Sequence, residues 1–259
     1  ATEYGQYGVA ISALGLGEDW NMPLLEAIAG QSGGVADHLA TPDSILAEFK
    51  RTVATMQGSS VRNAQLTLRL VAGVTPAAAW RVLPTISQLS QRTLSDRDIQ
   101  LVLGDLEHGK GQSVLVELVI QSKAAGSYRV AQADVMYDIP AASLSAQHVR
   151  QDILVTLTED PSQVTPFVAD VMNLVEKVSV FKLQTRALNE AQAGNVALAT
   201  QQLRAAATRL LNLGEAELAQ AAQQEANNLE RQGQMSAAGT KKLQYGTRKL
   251  TQRLDDLDA

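Results

Sequence analysis

Gly30-Gln31-Ser32-Gly33-Gly34 carries the G-x-S-x-G spacing that can present a serine nucleophile on a sharp elbow, with Asp and His residues later in the chain to complete a hydrolase. An elbow needs a strand before the serine and a helix after it. Here a helical pattern precedes Ser32 and a strand pattern follows, so Gly33 reads as a glycine that ends a helix. Gly15-Leu16-Gly17 follows a strand pattern and precedes a helical one, as a dinucleotide-binding turn would, but position 20 holds Trp20 where a third glycine would allow close packing. A tight turn is the simpler reading. His38, His108 and His148 lie far apart, and none has a second His or a carboxylate at ligand spacing. They read as solvated or locally hydrogen-bonded histidines. Glu18 and Asp19 could form an acid/base pair, yet they suit the electrostatics of the helix start that follows them. The chain has no Cys, which excludes disulfides, thiolate metal sites and a cysteine nucleophile. No catalytic, cofactor-binding or metal-ligating residue is therefore assigned, and a serine hydrolase built on Ser32 stands only as a minor alternative.

The elements that would position such residues fall into three textures. Residues 1–58 read as β-α-β-α. The run Val9 to Leu14 suits a parallel strand buried on both faces, Asn21 caps a helix with Pro23 in its first turn, and Gly33-Gly34 ends it. A second strand is expected at Val35 to Ala40, then a helix capped by Thr41-Pro42-Asp43, with Ile45, Leu46, Phe49 and Val53 at helical spacing and Gly58 closing it. Two parallel strands do not make a stable sheet alone, so further strands are expected upstream. This segment should pair with a separate polypeptide or expose an apolar sheet edge.

Across residues 59–160 the period becomes two. Ala64, Leu66, Leu68 and Leu70 alternate with Gln65, Thr67 and Arg69, and similar runs recur at Trp80 to Leu83, Ile99 to Leu103, Val114 to Ile120, Tyr128 to Tyr137 and Ile153 to Leu157. Turn signals at His108-Gly109-Lys110-Gly111 and Ala125-Gly126-Ser127 separate them. This is the pattern of an antiparallel β-sandwich. Residues 161–259 are rich in Ala, Gln and Leu and predict an α-helical bundle. Its helices carry Phe167 to Val178, Val196 to Leu210 after Gly194-Asn195, Leu218 to Leu229, and, after Gly233, Leu243, Leu250, Leu254 and Leu257. Ala187 to Gly214 has the texture of a tetratricopeptide hairpin without its large aromatic positions, and an ordinary helical hairpin is the first reading. The fold class is thus α+β and multidomain.

Among 259 residues, 22 Lys and Arg against 27 Asp and Glu leave a formal charge of −5, and aromatics make up 4%. No global positive field exists for a phosphate backbone. The basic residues Lys241, Lys242, Arg248, Lys249 and Arg253 are matched by Glu215, Glu217, Glu225 and Glu230, so pairing or solvation is expected and no nucleic-acid partner is assigned. No apolar run reaches a membrane span, and no membrane partner is assigned. The start, Ala1-Thr2-Glu3-Tyr4-Gly5, reads like a cut inside a longer chain.

Tyr7 to Asn21, then Leu24-Leu25-Glu26-Ala27-Ile28-Ala29 and Ser32-Gly33-Gly34, resembles the last third of a von Willebrand factor A (VWA) domain, and Pro42 to Phe49 resembles that family's final helix. Gly109 to Glu117, Gly126 to Tyr137, and Lys241 to Leu250 resemble the sandwich strands and terminal helix of bacterial proteins in which such a domain is followed by a sandwich and a helical tail. The resemblance implies a non-enzymatic protein–protein interaction module with a protein partner, a sandwich that braces the A domain and helices that present a partner surface; the missing N-terminal part of the same protein is one candidate partner. In related architectures the A domain is inserted into the sandwich, so sandwich strands too could lie upstream. It also implies Mg²⁺ only where the family's Asp-x-Ser-x-Ser and Thr-Asp-Gly loops are present. This chain has neither: Ala141-x-Ser143-x-Ser145 has Ala in place of the Asp. An adaptor or regulatory subunit of a partner ATPase, acting through the helical tail, is the alternative. Cytoplasmic location is the default, and no oligomeric state is assigned.

Overall fold

The computed structural model describes all residues except 8, 17–19, 40, 41, 44, 48, 51, 54–58, 108–110, 122, 165, 166 and 252–259. A short helix α1 (Thr2–Gln6) leads to β1 (Ala13–Leu16), α2 (Met22–Ser32) and β2 (Ala36–Leu39). Asn21 caps α2 as its type dictates, its Oδ1 accepting the Leu24 N–H at 3.1 Å. Gly33 ends the helix with φ 77°.

β1 and β2 pair in parallel, with Ala13 opposite Ala36 and Leu16 opposite Leu39, in a two-stranded sheet. The strand starts later than the apolar run suggests, and Gly15-Leu16 lies inside it instead of forming a turn. It is also not buried on both faces: Ala13 and Gly15 are covered while Leu14 and Leu16 are exposed. The physical reason is that the cluster of Ala13, Ala29 and Ala36 with Leu25 and Ile28 places α2 on one face alone. The described residues among 45–53 are helical (α3). Of the apolar side chains expected to face a core, Ile45, Leu46 and Phe49 are exposed and Val53 is half-buried. Thr41 and Gly58, expected as cap and stop, lie outside the described residues.

Eight strands follow: β3 (Ser59–Leu70), β4 (Val74–Leu83), β5 (Ser87–Gln88), β6 (Gln91–Thr93), β7 (Asp98–Glu107), β8 (Ser113–Ile120), β9 (Gly126–Ile139) and β10 (Leu144–Leu157). One sheet has the order β10-β9-β3-β7-β6 and the other β5-β4-β8. Within the larger sheet β10, β9, β3, β7 and β6 are antiparallel to their neighbours. Ala64, Leu68 and Leu70 are buried as their alternation predicts. They pack with Ala131, Ile99 and Leu101 from their own sheet, and with Val74, Ala79, Val116 and Leu118 from the other, so the two sheets enclose the core. The expected turn at 108–110 lies outside the described residues.

The chain divides into two compact units, Ala1–Ala79 with Ser87–Thr165, and Trp80–Ile86 with Pro166–Ala259. The second is built from α4 (Ala169–Gln192), α5 (Val196–Asn212), α6 (Ala216–Gln232) and α7 (Ala237–Arg248). The breaks stand where Gly194-Asn195 and Gly233 predict them. Ala199, Leu203, Ala206 and Leu210 of α5, and Ala222, Ala226 and Leu229 of α6, are all fully buried. The buried face of α4 begins only at Lys177 and Val178. Phe167 precedes the helix and is 82% exposed, contrary to its expected core position. α7 packs on both α6 and α4, which makes a closed bundle and not an open repeat array. Trp80 meets Phe181 edge-on with ring centroids 6.0 Å apart. Trp80, Arg81 and Val82 are buried in succession, so alternation is lost there, and burial pulls the Arg81 guanidinium down to about 10. Among the described residues no helix is long and apolar enough to cross a membrane.

Candidate functional site

Ser32 is committed to structure. Its side chain is buried, its Oγ accepts the Ile11 N–H at 2.9 Å and donates back to the carbonyls of Ile28 and Ala29 at 3.2 and 3.1 Å. A hydroxyl spent in this way ties the last turn of α2 to the chain entering β1 and does not face a substrate. Trp20 lies over Gly15 and stacks on His38, with centroids 5.1 Å apart and planes at 26°, where Gly15 and His38 are register partners. Glu18, Asp19 and His108 lie outside the described residues. Ser143 and Ser145 sit at the β9–β10 hairpin, after the turn Pro140–Ala142. Of the basic residues on the last helix, Arg248 is buried, and Lys249 hydrogen-bonds the Tyr245 hydroxyl while lying over its ring. Glu230 pairs with Arg204 of α5 at 2.8 Å instead of with α7.

The surface that stands out belongs to the first segment. Tyr4, Tyr7, Val9, Leu14, Leu16, Leu24, Ile45, Leu46 and Phe49 all expose large apolar side chains within 49 residues. Isolated exposed apolar residues are ordinary, but so many within one short α/β segment is a concentration that a lone layer does not bury. Gly5, Gly30 and Gln31 of the helices face Gln65, Gln91, Arg92, Gln100 and Val102 of the larger sheet across a cleft of about 390 Å³. The Gln100 amide donates to Gln65 at 2.9 Å, and Gln65 in turn to Asn63 at 2.8 Å. Amides and one guanidinium can bind a polar group there, but they offer no proton to exchange near neutral pH.

Sequence reading missed a charged cluster on the outer face of the same sheet. Asp134 of β9 is 2% exposed. Its Oδ1 meets His148 Nδ1 at 2.8 Å, and its Oδ2 accepts from Arg150 Nε and Arg69 Nη2, both at 3.0 Å. Arg150 stands directly opposite Asp134 in the register, and His148 and Arg69 are diagonal to it on the neighbouring strands. Burial by itself raises the Asp134 pKa, but hydrogen bonds from His148 and Arg150, with their charge, outweigh it and hold the carboxyl below its ordinary value. A lowered folded-state pKa contributes stability that is complete above the ordinary carboxyl range and is lost as pH falls through the folded value. Asp134→Ala is therefore expected to cost about 1–3 kcal/mol at neutral pH, less than a fully buried pair because its partners are half exposed. Urea unfolding should show that difference shrinking below about pH 4. A gap that persists unchanged to pH 2 contradicts the assignment.

With both carboxylate oxygens already engaged by the Arg69 and Arg150 guanidinium groups and the His148 ring, Asp134 does not suit a bound cation. Among the described residues no group of three or more His, Asp or Glu could hold a metal ion.

Residues 169–253 match a family model described as the Sll0103-like, C-terminal alpha-helical domain. A curated relative, the uncharacterized protein sll0103 of Synechocystis sp., is 28% identical over 147 residues, covering 54% of this chain and 34% of that protein. Among solved structures, a von Willebrand factor type A protein from Catenulispora acidiphila aligns with a TM-score of 0.74 at 15% identity, over 93% of this chain and 58% of that one. The human COPII-coat protein Sec24c aligns with a TM-score of 0.52 at 11% identity, over 95% of this chain and 33% of that one. The chain thus has a VWA-like fold over most of its length, with a separate C-terminal helical domain. It spans about a third of the curated relative and just over half of the Catenulispora protein.

Proposed function

We propose that this chain is a non-enzymatic protein-interaction module in which residues 1–58 are the C-terminal portion of a VWA domain, 59–160 the β-sandwich that braces it and 161–259 the helical domain. The observation that carries the reading is the two-stranded parallel sheet β1–β2, with Leu14 and Leu16 exposed on the face that α2 does not cover. Parallel sheets are ordinarily covered on both faces, so this layer calls for further strands and a helix from another polypeptide segment. The partner is a protein, the N-terminal part of the same protein being the candidate tested below, and any Mg²⁺ would be held by loops of that part.

The test uses the segment that this proposal places before residue 1, produced separately and titrated onto this chain. Leu14→Lys with Leu16→Lys should leave the thermal unfolding of the chain unchanged, because both side chains already face solvent, while weakening association more than tenfold. Binding as tight as that of the parent chain would overturn the proposal.

A second reading, an adaptor engaging its partner through the helical tail, is supported by Phe167, Val168, Val171 and Met172, all exposed at the start of α4. That the partner is an ATPase is carried over from the resemblance. Phe167→Glu with Val171→Glu should then abolish partner binding that the Leu14 and Leu16 changes leave intact.

A further inference from the structure

We infer that β10 is the contact by which two copies of this chain associate, through antiparallel edge-to-edge pairing about a two-fold axis at Gln151. β10 is an outermost strand of the five-stranded sheet, so one of its edges presents N–H and C=O groups with no ladder partner among the described residues. It is a long edge of 14 residues, with Val149 and Leu154 56% and 68% exposed. Natural edges are usually short, charged or bulged to prevent such pairing. Here register shifts occur between Leu144 and Gln147 and between Ile153 and Leu154, which leaves Gln147 to Ile153 regular and available.

The sequence of that regular window is self-complementary in one register. With Gln151 opposite itself, Arg150 faces Asp152 twice and Val149 faces Ile153 twice. Val149 and Ile153 share the side of the sheet that carries Val135 and Ala131, so the apolar layer would continue from one copy into the next. An axis at Arg150 or at Asp152 would set like charges directly opposite each other, and an axis at Val149 would set Arg150 against His148.

The atoms required are also at hand. Arg150 reaches Asp134 through Nε, and no described residue engages its Nη atoms. Asp152 holds Arg129 and Gln132 on Oδ1, at 3.5 and 2.9 Å, and no described residue engages its Oδ2. Each copy therefore offers one guanidinium edge and one carboxylate oxygen to the other. The occupant is a second copy because charge and apolar pattern match it at both ends of the window. This pairing does not rest on the reading of residues 1–58.

The 259 residues contain no cysteine, which makes the register directly testable. Gln151→Cys should give a covalent dimer on mild oxidation, since directly opposed residues approach within reach of a disulfide. Gln147→Cys, which would face Val155, should not. In sedimentation equilibrium the unmodified chain should show a monomer–dimer equilibrium that Val149→Lys weakens at least tenfold with no change in thermal unfolding. The Leu14→Lys and Leu16→Lys changes should leave it unaltered. A chain that stays monomeric at every concentration, a dimer indifferent to Val149→Lys, or cross-linking at Gln147 in place of Gln151 would each overturn the inference.

Discussion

Gly104→Ala is expected to destabilise the first unit by roughly 2–5 kcal/mol and to release the α/β layer from the sandwich. Gly104 of β7 sits at φ 83°, and a Cβ built there would stand 2.4 Å from the carbonyl oxygen of Gly33. That neighbour cannot give way, because Gly33 is the left-handed cap of α2 and its own Cβ position is closed by Val102 Cγ1 at 2.8 Å. Two strains add: the left-handed conformation of a residue with a side chain, about 1–2 kcal/mol, and overpacking of one backbone against another, about 1–3 kcal/mol. Gly194 provides the control. It has nearly the same φ, 82°, but nothing lies within 4 Å of its Cβ position. Gly194→Ala should therefore show the conformational cost alone, and the difference between the two in urea unfolding measures the close approach. Amide exchange should quicken across β1 and β2 in the Gly104 variant. Equal costs at the two sites would mean that the α/β layer is not seated through this contact.

What could be read from the sequence follows from how local each signal is. The cap at Asn21 and the breaks at Gly33, Gly194 and Gly233 were legible because cap chemistry depends on a few adjacent residues. The sandwich strands were legible because burial on one face writes an alternation, as at Ala64, Leu68 and Leu70. The start of β1 was not. Strand length there is set by the partner, and pairing begins only where Ala13 meets Ala36, so Val9 to Ser12 stay outside despite their composition.

The Asp134 cluster was hidden for a sharper reason. At the turn, Leu144 faces Ile139, but a register shift follows and Gln147 faces Tyr137. Counting outward from the turn would place Arg150 opposite Ala133, on the wrong side of the sheet. The shift moves it by one residue onto Asp134 and brings His148 and Arg150 to the carboxylate that Arg69 of β3 also meets. Spacing alone could not have found it, whereas a predicted bulge could.

The other large effect is expected at Gly239, where two helix rules oppose each other. Ala is favoured over Gly inside a helix by about 1 kcal/mol, so propensity predicts that Gly239→Ala stabilises α7. Geometry predicts the reverse. Glu225 of α6 is buried, and its carboxylate accepts the Ser236 N–H at 2.6 Å, the Ser236 hydroxyl at 2.7 Å and the Asn228 amide at 3.1 Å. The Ser236 Oγ then accepts the Gly239 N–H at 3.0 Å and caps α7. A Cβ on Gly239 would lie 2.0 Å from Glu225 Oε1 and 2.3 Å from its Cδ. The carboxylate sits at a helix N-terminus, where the backbone dipoles favour it, only because position 239 is bare. Displacing it breaks three hydrogen bonds to a buried charged group, and the net cost should be about 3 kcal/mol. The two substitutions must then be strongly coupled. Once Glu225→Ala has emptied the space, at a cost of its own, Gly239→Ala should turn neutral or stabilising by up to about 1 kcal/mol. A double-mutant cycle read by urea unfolding checks this, and additive effects would show that Gly239 tolerates a methyl group for reasons unconnected with Glu225. Because α7 contacts both α6 and α4, loss of this cap should also appear as faster amide exchange throughout α7 while α5 stays protected.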